Sequence, residues 1–185
     1  MKRLFLAIDL PERIIDDISA TYQAIHGARW MREEQLHITL RFYGETPGDR
    51  EDVLVKALGN IAEPPFSLRL KGVGHFPPRG EPRILWVGIA AQERLMRLAS
   101  LIENVSVKTG FERERRNFSP HLTVARLHRV SPDRVAQYLV GNSLFSTEPF
   151  EVRDFHLYAS HLGKAGATYT KEASFRLEAG PLPSE

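Results

Sequence analysis

Short apolar runs alternate along the chain with stretches whose apolar residues recur every three or four positions. Leu4 to Leu10 is an apolar run stopped by Pro11, which predicts a strand. Ile14, Ile15, Ile18, Tyr22 and Ile25 follow at helical spacing. Leu36-His37-Ile38-Thr39-Leu40 alternates apolar and polar residues, as a half-buried strand does. Pro47 to Ala62 reads as a helix with Val53, Leu54, Ala57, Leu58 and Ile61 on one face, and Phe66 to Val73 as a strand. The same order then recurs. Ile84 to Ala90 is an apolar strand, Leu95, Leu98, Ala99, Ile102 and Val105 mark a helix, and Gly110 to Asn117 is polar. His121-Leu122-Thr123-Val124 alternates again, Pro132 to Val140 suggests a helix, Phe150 to Tyr158 a strand, and Tyr169 to Leu177 a last strand.

His37 and His121 lie 84 residues apart, and the same offset carries Phe66 onto Phe150 and Val73 onto Leu157. Agreement of element order, offset and the shared His-x-Thr pattern points to an internal duplication. The class is α+β, with two lobes of one compact unit spanning 1–185 and a cleft between them. The segment Gly72 to Gly80 reads as a turn-rich loop, too short for a flexible tether.

On a strand, residues i and i+2 share a face. His37 and Thr39 therefore point one way while Ile38 and Leu40 point into the core, and His121 and Thr123 repeat this over Leu122 and Val124. Related by a pseudo-twofold, the two pairs put two imidazoles and two hydroxyls around one small space. That set suits in-line displacement at phosphorus. One histidine removes a proton on the nucleophile side and the other supplies one to the leaving group, since an unperturbed imidazole titrates at ~6.5. The threonine hydroxyls donate to the non-bridging oxygens where charge develops. A strained cyclic phosphate needs no metal to react this way, so no metal and no cofactor are expected. Symmetry alone leaves open which histidine is acid and which is base.

Composition changes this picture little. Hydrophobic residues make up 42% and charged residues 26% of the 185, a globular profile. No apolar run approaches a bilayer span. The apolar N-terminal run stops at Asp9 and leads into a helical pattern, so it reads as strand. With no cysteine, disulfides and thiolate chemistry are excluded, and a cytoplasmic enzyme is expected. The formal net charge of +2 argues against a protein that coats nucleic acid. Of 25 basic residues 19 are arginine, whose planar fork suits phosphate. Genomic composition produces the same bias, so it permits a phosphate ligand without establishing one.

The sequence resembles the two-histidine phosphoesterase superfamily, and within it the RNA 2′,3′-cyclic phosphodiesterases, also described as 2′-5′ RNA ligases. The resemblance is carried by Arg3-Leu4-Phe5-Leu6-Ala7-Ile8-Asp9-Leu10-Pro11, by Trp30, and by the first motif from Leu36 through His37 and Thr39 to Glu45. It continues through Phe76-Pro77, Pro82 to Ile89, the second motif from Phe118 to Arg126, Phe155 to Ser160 and Gly166 to Tyr169. It implies two antiparallel sheets, flanked by helices, around a central cleft. It further implies His37 as proton donor to the leaving 3′ oxygen and His121 as base on water, with a 2′-phosphate as product. Ligation, with a ribose 5′-hydroxyl in place of water, is the same chemistry reversed. Binding of RNA ends without turnover is the non-enzymatic alternative. The implied partner is RNA or an oligonucleotide ending in a 2′,3′-cyclic phosphate. No membrane partner is expected, and a monomer is the expected state, which the sequence itself does not fix.

Other residues carry weaker expectations. Arg126 lies near the phosphate in the family pattern, yet simple alternation from His121 places it on the opposite face. Phe42 and Tyr43 are candidates to stack on a base. Tyr43 departs from the family, where leucine is commoner, at a position that bears on the base pocket. Arg41 reads as a solvated strand residue, and Trp30 and Trp86 as packing residues. His75, His156 and His161 fit no familiar metal spacing. The run Glu112 to Arg116 reads as a solvated loop, with a second reading at the cleft mouth, steering RNA.

Overall fold

The computed structural model describes residues 1–90, 92–163 and 166–179. In chain order the strands are β1 (Lys2–Asp9), β2 (Ala28–Trp30), β3 (His37–Thr46), β4 (Phe66–Phe76), β5 (Ile84–Ala90), β6 (His121–Leu127), β7 (Phe150–Val152), β8 (Asp154–Gly163) and β9 (Gly166–Arg176). The helices are α1 (Glu12–Ser19), α2 (Gly48–Leu58), α3 (Glu93–Lys108) and α4 (Pro132–Gly141). They form one sheet ordered β3-β1-β8-β9 and a second ordered β2-β6-β5-β4-β7, and every ladder is antiparallel. This is the α+β class the repeat predicts, with the two antiparallel sheets the family resemblance implies. The domain bounds of 1–185 include residues 180–185, which lie outside the described residues.

The duplication is visible in the strand order. β3-β1-β8 in one sheet corresponds to β6-β5-β4 in the other, so each half sends its third strand into the sheet founded by the other half. The expected single strand from Phe150 to Tyr158 is therefore two. β7 stays beside β4, and at Arg153, whose carbonyl accepts from the Leu177 N–H at 2.7 Å, the chain crosses to pair with β1.

One apolar cluster joins both sheets to the helices. It takes Leu4, Leu6 and Ile8 from β1, Ile38 and Leu40 from β3, and Leu122 and Val124 from β6. Against them pack Ile14 and Ile18 of α1, Leu54 and Leu58 of α2, Leu98 and Ile102 of α3, and Tyr138 of α4. With one face of each sheet so covered, the other faces are free to line a cleft. The start of α4 shows the local logic, with Ser131 accepting from the Arg134 N–H at 3.4 Å and Pro132 in the first turn.

Several elements differ from the sequence reading in bounds or facing, α2 ending at Leu58 rather than Ala62 and β3 running on to Thr46. Helix α1 stops at Ser19 because Thr21 turns its hydroxyl back onto the Ile18 carbonyl at 2.7 Å. Tyr22 and Ile25 reach the core from the following turn. On α2 the buried face is Glu51, Leu54 and Leu58, with Val55 beside it, while Val53 is 54% exposed. Strand β4 runs on to Phe76, leaving only the stretch to Arg83 as turn. Within that strand position 74 takes glycine because its ladder partner Trp86 crowds it. A Cβ there would meet the indole at 2.2 Å.

Candidate active site

The two motif strands carry the same burial pattern. From His37 to Phe42 and from His121 to Arg126, each runs half-buried, buried, half-buried, buried, buried, exposed. A regular strand would alternate throughout, and bulges break the alternation at equivalent places. Ala7 pairs with Thr39 but Leu6 with Arg41, which leaves Leu40 unpaired. Trp86 pairs with Thr123 but Leu85 with Ala125, which leaves Val124 unpaired. Leu40 and Val124 are themselves 84 residues apart. A bulge puts two residues opposite one and resets the faces beyond it. So His37, Thr39 and Phe42 face the cleft from β3, and His121, Thr123 and Arg126 face it from β6. Together they line a cavity of about 180 Å³. Arg126 thus lies on the cleft face, contrary to simple alternation, and Phe42 is its counterpart in the duplication.

The same bulges remove two residues from the positions expected for them. Arg41 is 8% exposed rather than solvated, because the reset turns it toward α3. There it pairs with Glu103 and donates to the Glu112 carbonyl at 2.6 Å. Tyr43 does not line the cleft. Its hydroxyl meets Ser106 Oγ at 2.8 Å and its ring packs on Phe111. Of the two stacking candidates only Phe42 faces the cleft.

The His121 imidazole is held by the backbone two residues upstream. His121 Nδ1 lies 2.7 Å from the Ser119 carbonyl. A carbonyl only accepts, so Nδ1 carries the proton and Nε2 of the neutral ring keeps its lone pair. For His37, the neighbouring Gln35 backbone favours the protonated ring. Around His37 stand Phe5, with centroids 5.0 Å apart, and Tyr169, edge-on at 5.3 Å. Phe76 meets His121 edge-on at 5.0 Å.

Burial among these rings lowers the His37 pKa to about 4, against the opposing pull of Asp9 and the Gln35 backbone. Asp9 is paired with His37 across the β1–β3 ladder. Burial raises its carboxyl, but donation from Lys171 at 2.8 Å and from the Tyr158 hydroxyl at 2.6 Å outweighs this and holds it below the usual range. His156 Nε2 is 3.5 Å from the same carboxylate. The depressed His37 has a stability consequence. Its unfolded imidazole binds a proton at ~6.5 and the folded one only near 4, so the unfolded state gains protons first as pH falls. The contribution is intact above ~6.5 and fades toward pH 4, by at most about 3 kcal/mol. In urea unfolding at pH 7.5 and pH 4, His37→Gln should lose less stability than the parent by about that amount. An identical pH dependence in the two proteins would contradict the burial of His37.

The remaining expectations sort plainly. Trp30 packs, stacking on Tyr22 at 4.4 Å, and Trp86 lies behind Thr123, its ladder partner. His156 and His161 bond to Ser174 and Thr170 respectively. Among the described residues no group of three His, Asp or Glu lies together as metal ligands would. The run from Glu112 to Arg116 is an exposed loop held to α3 through Glu103 and is not among the residues lining the cavity. Sequence reasoning passed over Phe5, Asp9 and Tyr169. Only the ladder pairing of β1 with β3, and β9 folding over the cleft, makes them neighbours of His37.

Comparison with known proteins bears on the whole chain. The profile of the 2′-5′ RNA ligase superfamily matches residues 9–164. The chain is 35% identical, over 90% of its length and 96% of the relative's, to an RNA 2′,3′-cyclic phosphodiesterase of Archaeoglobus fulgidus. It is 31% identical, over 91% and 93%, to one of Escherichia coli. Among solved structures, E. coli LigT in apo form superposes with a TM-score of 0.79 at 28% identity, covering 96% of this chain and 98% of that one. The complex of LigT with 3′-AMP superposes at 0.77, with 28% identity and coverage of 95% and 98%. Among the described residues no helix is long and apolar enough to cross a membrane.

Proposed function

We infer that this chain, which belongs to the 2′-5′ RNA ligase superfamily, hydrolyses 2′,3′-cyclic phosphate ends of RNA and oligonucleotides to 2′-phosphomonoesters. The observation that carries the reading is the pair of matched bulged strands, which bring two imidazoles, two threonine hydroxyls and Arg126 into one cavity. In this reading His121 Nε2 takes a proton from water, and the oxygen attacks phosphorus in line with the 3′ oxygen. The P–O3′ bond breaks and the 3′ oxygen takes the proton of the His37 imidazolium. His121 ends protonated and His37 neutral, and exchange with solvent resets both. Thr39 and Thr123 donate to the non-bridging oxygens as charge gathers there, and Arg126 adds a cation beside them. Phe42 offers its ring to the base.

His37 is neutral in the free protein at pH 7, because burial holds its pKa near 4. An anionic phosphate beside it supplies the missing counter-charge and favours the imidazolium. Binding of substrate therefore arms the acid. RNA as substrate supports a cytoplasmic site of action.

The test is an oligonucleotide with a 2′,3′-cyclic end, incubated in EDTA, with identification of the terminal phosphate. The expected result is full turnover to a 2′-phosphate, since imidazoles and hydroxyls supply the catalysis. Loss of turnover in EDTA with rescue by zinc or magnesium would refute the mechanism, and a 3′-phosphate would reverse the leaving group. The superfamily name favours a second activity. Adding an RNA with a free 5′-hydroxyl and looking for a 2′-5′ linked product measures it directly.

A further inference from the structure

The cleft does not end at the catalytic groups. Along the first sheet the ladder pairs run His37 with Asp9, Thr39 with Ala7, Phe42 with Phe5 and Glu45 with Arg3. At the Arg3 end a second groove opens, and Arg3, Ser160 and Leu162 line both spaces. Ala7 to Arg3 is roughly 13 Å of extended chain, a distance on the scale of a nucleotide.

Two features of this joined groove are independent of each other. The first is charge. The Arg3 side chain is exposed and makes no hydrogen bond or ion pair with the described residues, Arg3 being tied to Glu45 and Ser160 only through the backbone ladders. Lys2 beside it is committed to Glu51 at 3.0 Å and Glu172 at 2.6 Å. The second is apolar exposure. Among the described residues seven large hydrophobic side chains are exposed, and three of them line the joined groove: Phe42 at 64%, Leu162 at 74% and Met1 at 85%. Uncommitted arginine with exposed apolar side chains on either side suits single-stranded nucleic acid, whose phosphates seek the cation and whose bases and riboses rest on the apolar surface.

We propose that Arg3 holds the phosphate on the 5′ side of the cyclic-ended nucleotide and that the groove past it carries the upstream strand. The protein is then built for polynucleotide ends in preference to cyclic mononucleotides. This rests on the hydrolytic reading above. The test compares kcat/KM for adenosine 2′,3′-cyclic phosphate, for a dinucleotide with the same cyclic end, and for that dinucleotide with a neutral methylphosphonate linkage and a 5′ deoxynucleoside. The parent protein should favour the charged dinucleotide over the mononucleotide by about tenfold or more, the scale of one charge-assisted hydrogen bond. The methylphosphonate should erase that preference. Arg3→Gln should lower the dinucleotide-to-mononucleotide ratio by about tenfold and make the linkage charge irrelevant. A parent protein indifferent to the methylphosphonate, or an Arg3→Gln variant that slows both natural substrates by the same factor, overturns the proposal and leaves the hydrolytic reading standing. Turnover of none of the three by the parent protein overturns both.

Discussion

Alanine at His37 or at His121 is expected to lower the rate of ring opening by ~10²–10⁴ each, the usual contribution of one positioned acid or base. The double variant should lose far less than the product of the two, because the second proton transfer has little to assist once the first is missing. The single variants also separate the roles. A substrate with sulfur in place of the bridging 3′ oxygen leaves as a thiolate, which needs no proton. His37→Ala should recover most of its loss on that substrate, while His121→Ala, lacking the base for water, should recover none. Recovery in the His121 variant instead would exchange the two roles. Near-normal turnover by either variant on the natural substrate would remove that histidine from the chemistry. The local structure already separates the two rings. His121 presents a lone pair at Nε2, fixed by its bond to the Ser119 carbonyl, whereas His37 sits among Phe5 and Tyr169 with a pKa near 4 and needs the substrate's charge to hold a proton. Phosphate added to the protein should accordingly move the His37 titration upward in NMR.

Much of this site could be read from the chain, because the features involved are local and repeated. The alternation around His37 and His121, and their common offset, places both pairs on equivalent strands. What failed needed knowledge of partners. Simple alternation sent Arg126 to the wrong face and left Arg41 in solvent, since a bulge depends on pairing with the neighbouring strand, and nothing in Leu40 or Val124 announces one. Once one bulge is known, the 84-residue offset supplies the other. The exchange of third strands is silent in periodicity too, because an apolar strand pairs equally well in either sheet. Val53 was misplaced by a different route. Helix α2 has apolar residues on more than one side, and only packing against α3 chooses among them. Asp9 looked like the end of an apolar run, and its place beside His37 exists only through register.

Valine at Thr39 or Thr123 should act on the transition state more than on binding. Both threonines sit half-buried on strands, where valine keeps the branched shape and the strand preference, so the fold should change little. What disappears is one donor to a phosphoryl oxygen. By analogy with other oxyanion donors each loss should cost up to ~10²–10³ in kcat. The cyclic phosphate is already an anion in the ground state, so some rise in KM should accompany it. The surroundings predict unequal effects, since Thr39 stands opposite Ala7 and Thr123 opposite the Trp86 indole. In the proposed mechanism the two hydroxyls serve different oxygens and, unlike the histidines, take no part in proton transfer. Their losses should therefore come close to multiplying in the double variant, less the coupling carried by the phosphoryl group they share. Steady-state kinetics on the three variants, with circular dichroism to confirm the fold, measures this. Unchanged kcat in both single variants would make the hydroxyls structural and leave the duplicated motif explained by its histidines alone. A double variant no worse than the poorer single one would place both hydroxyls on the same oxygen.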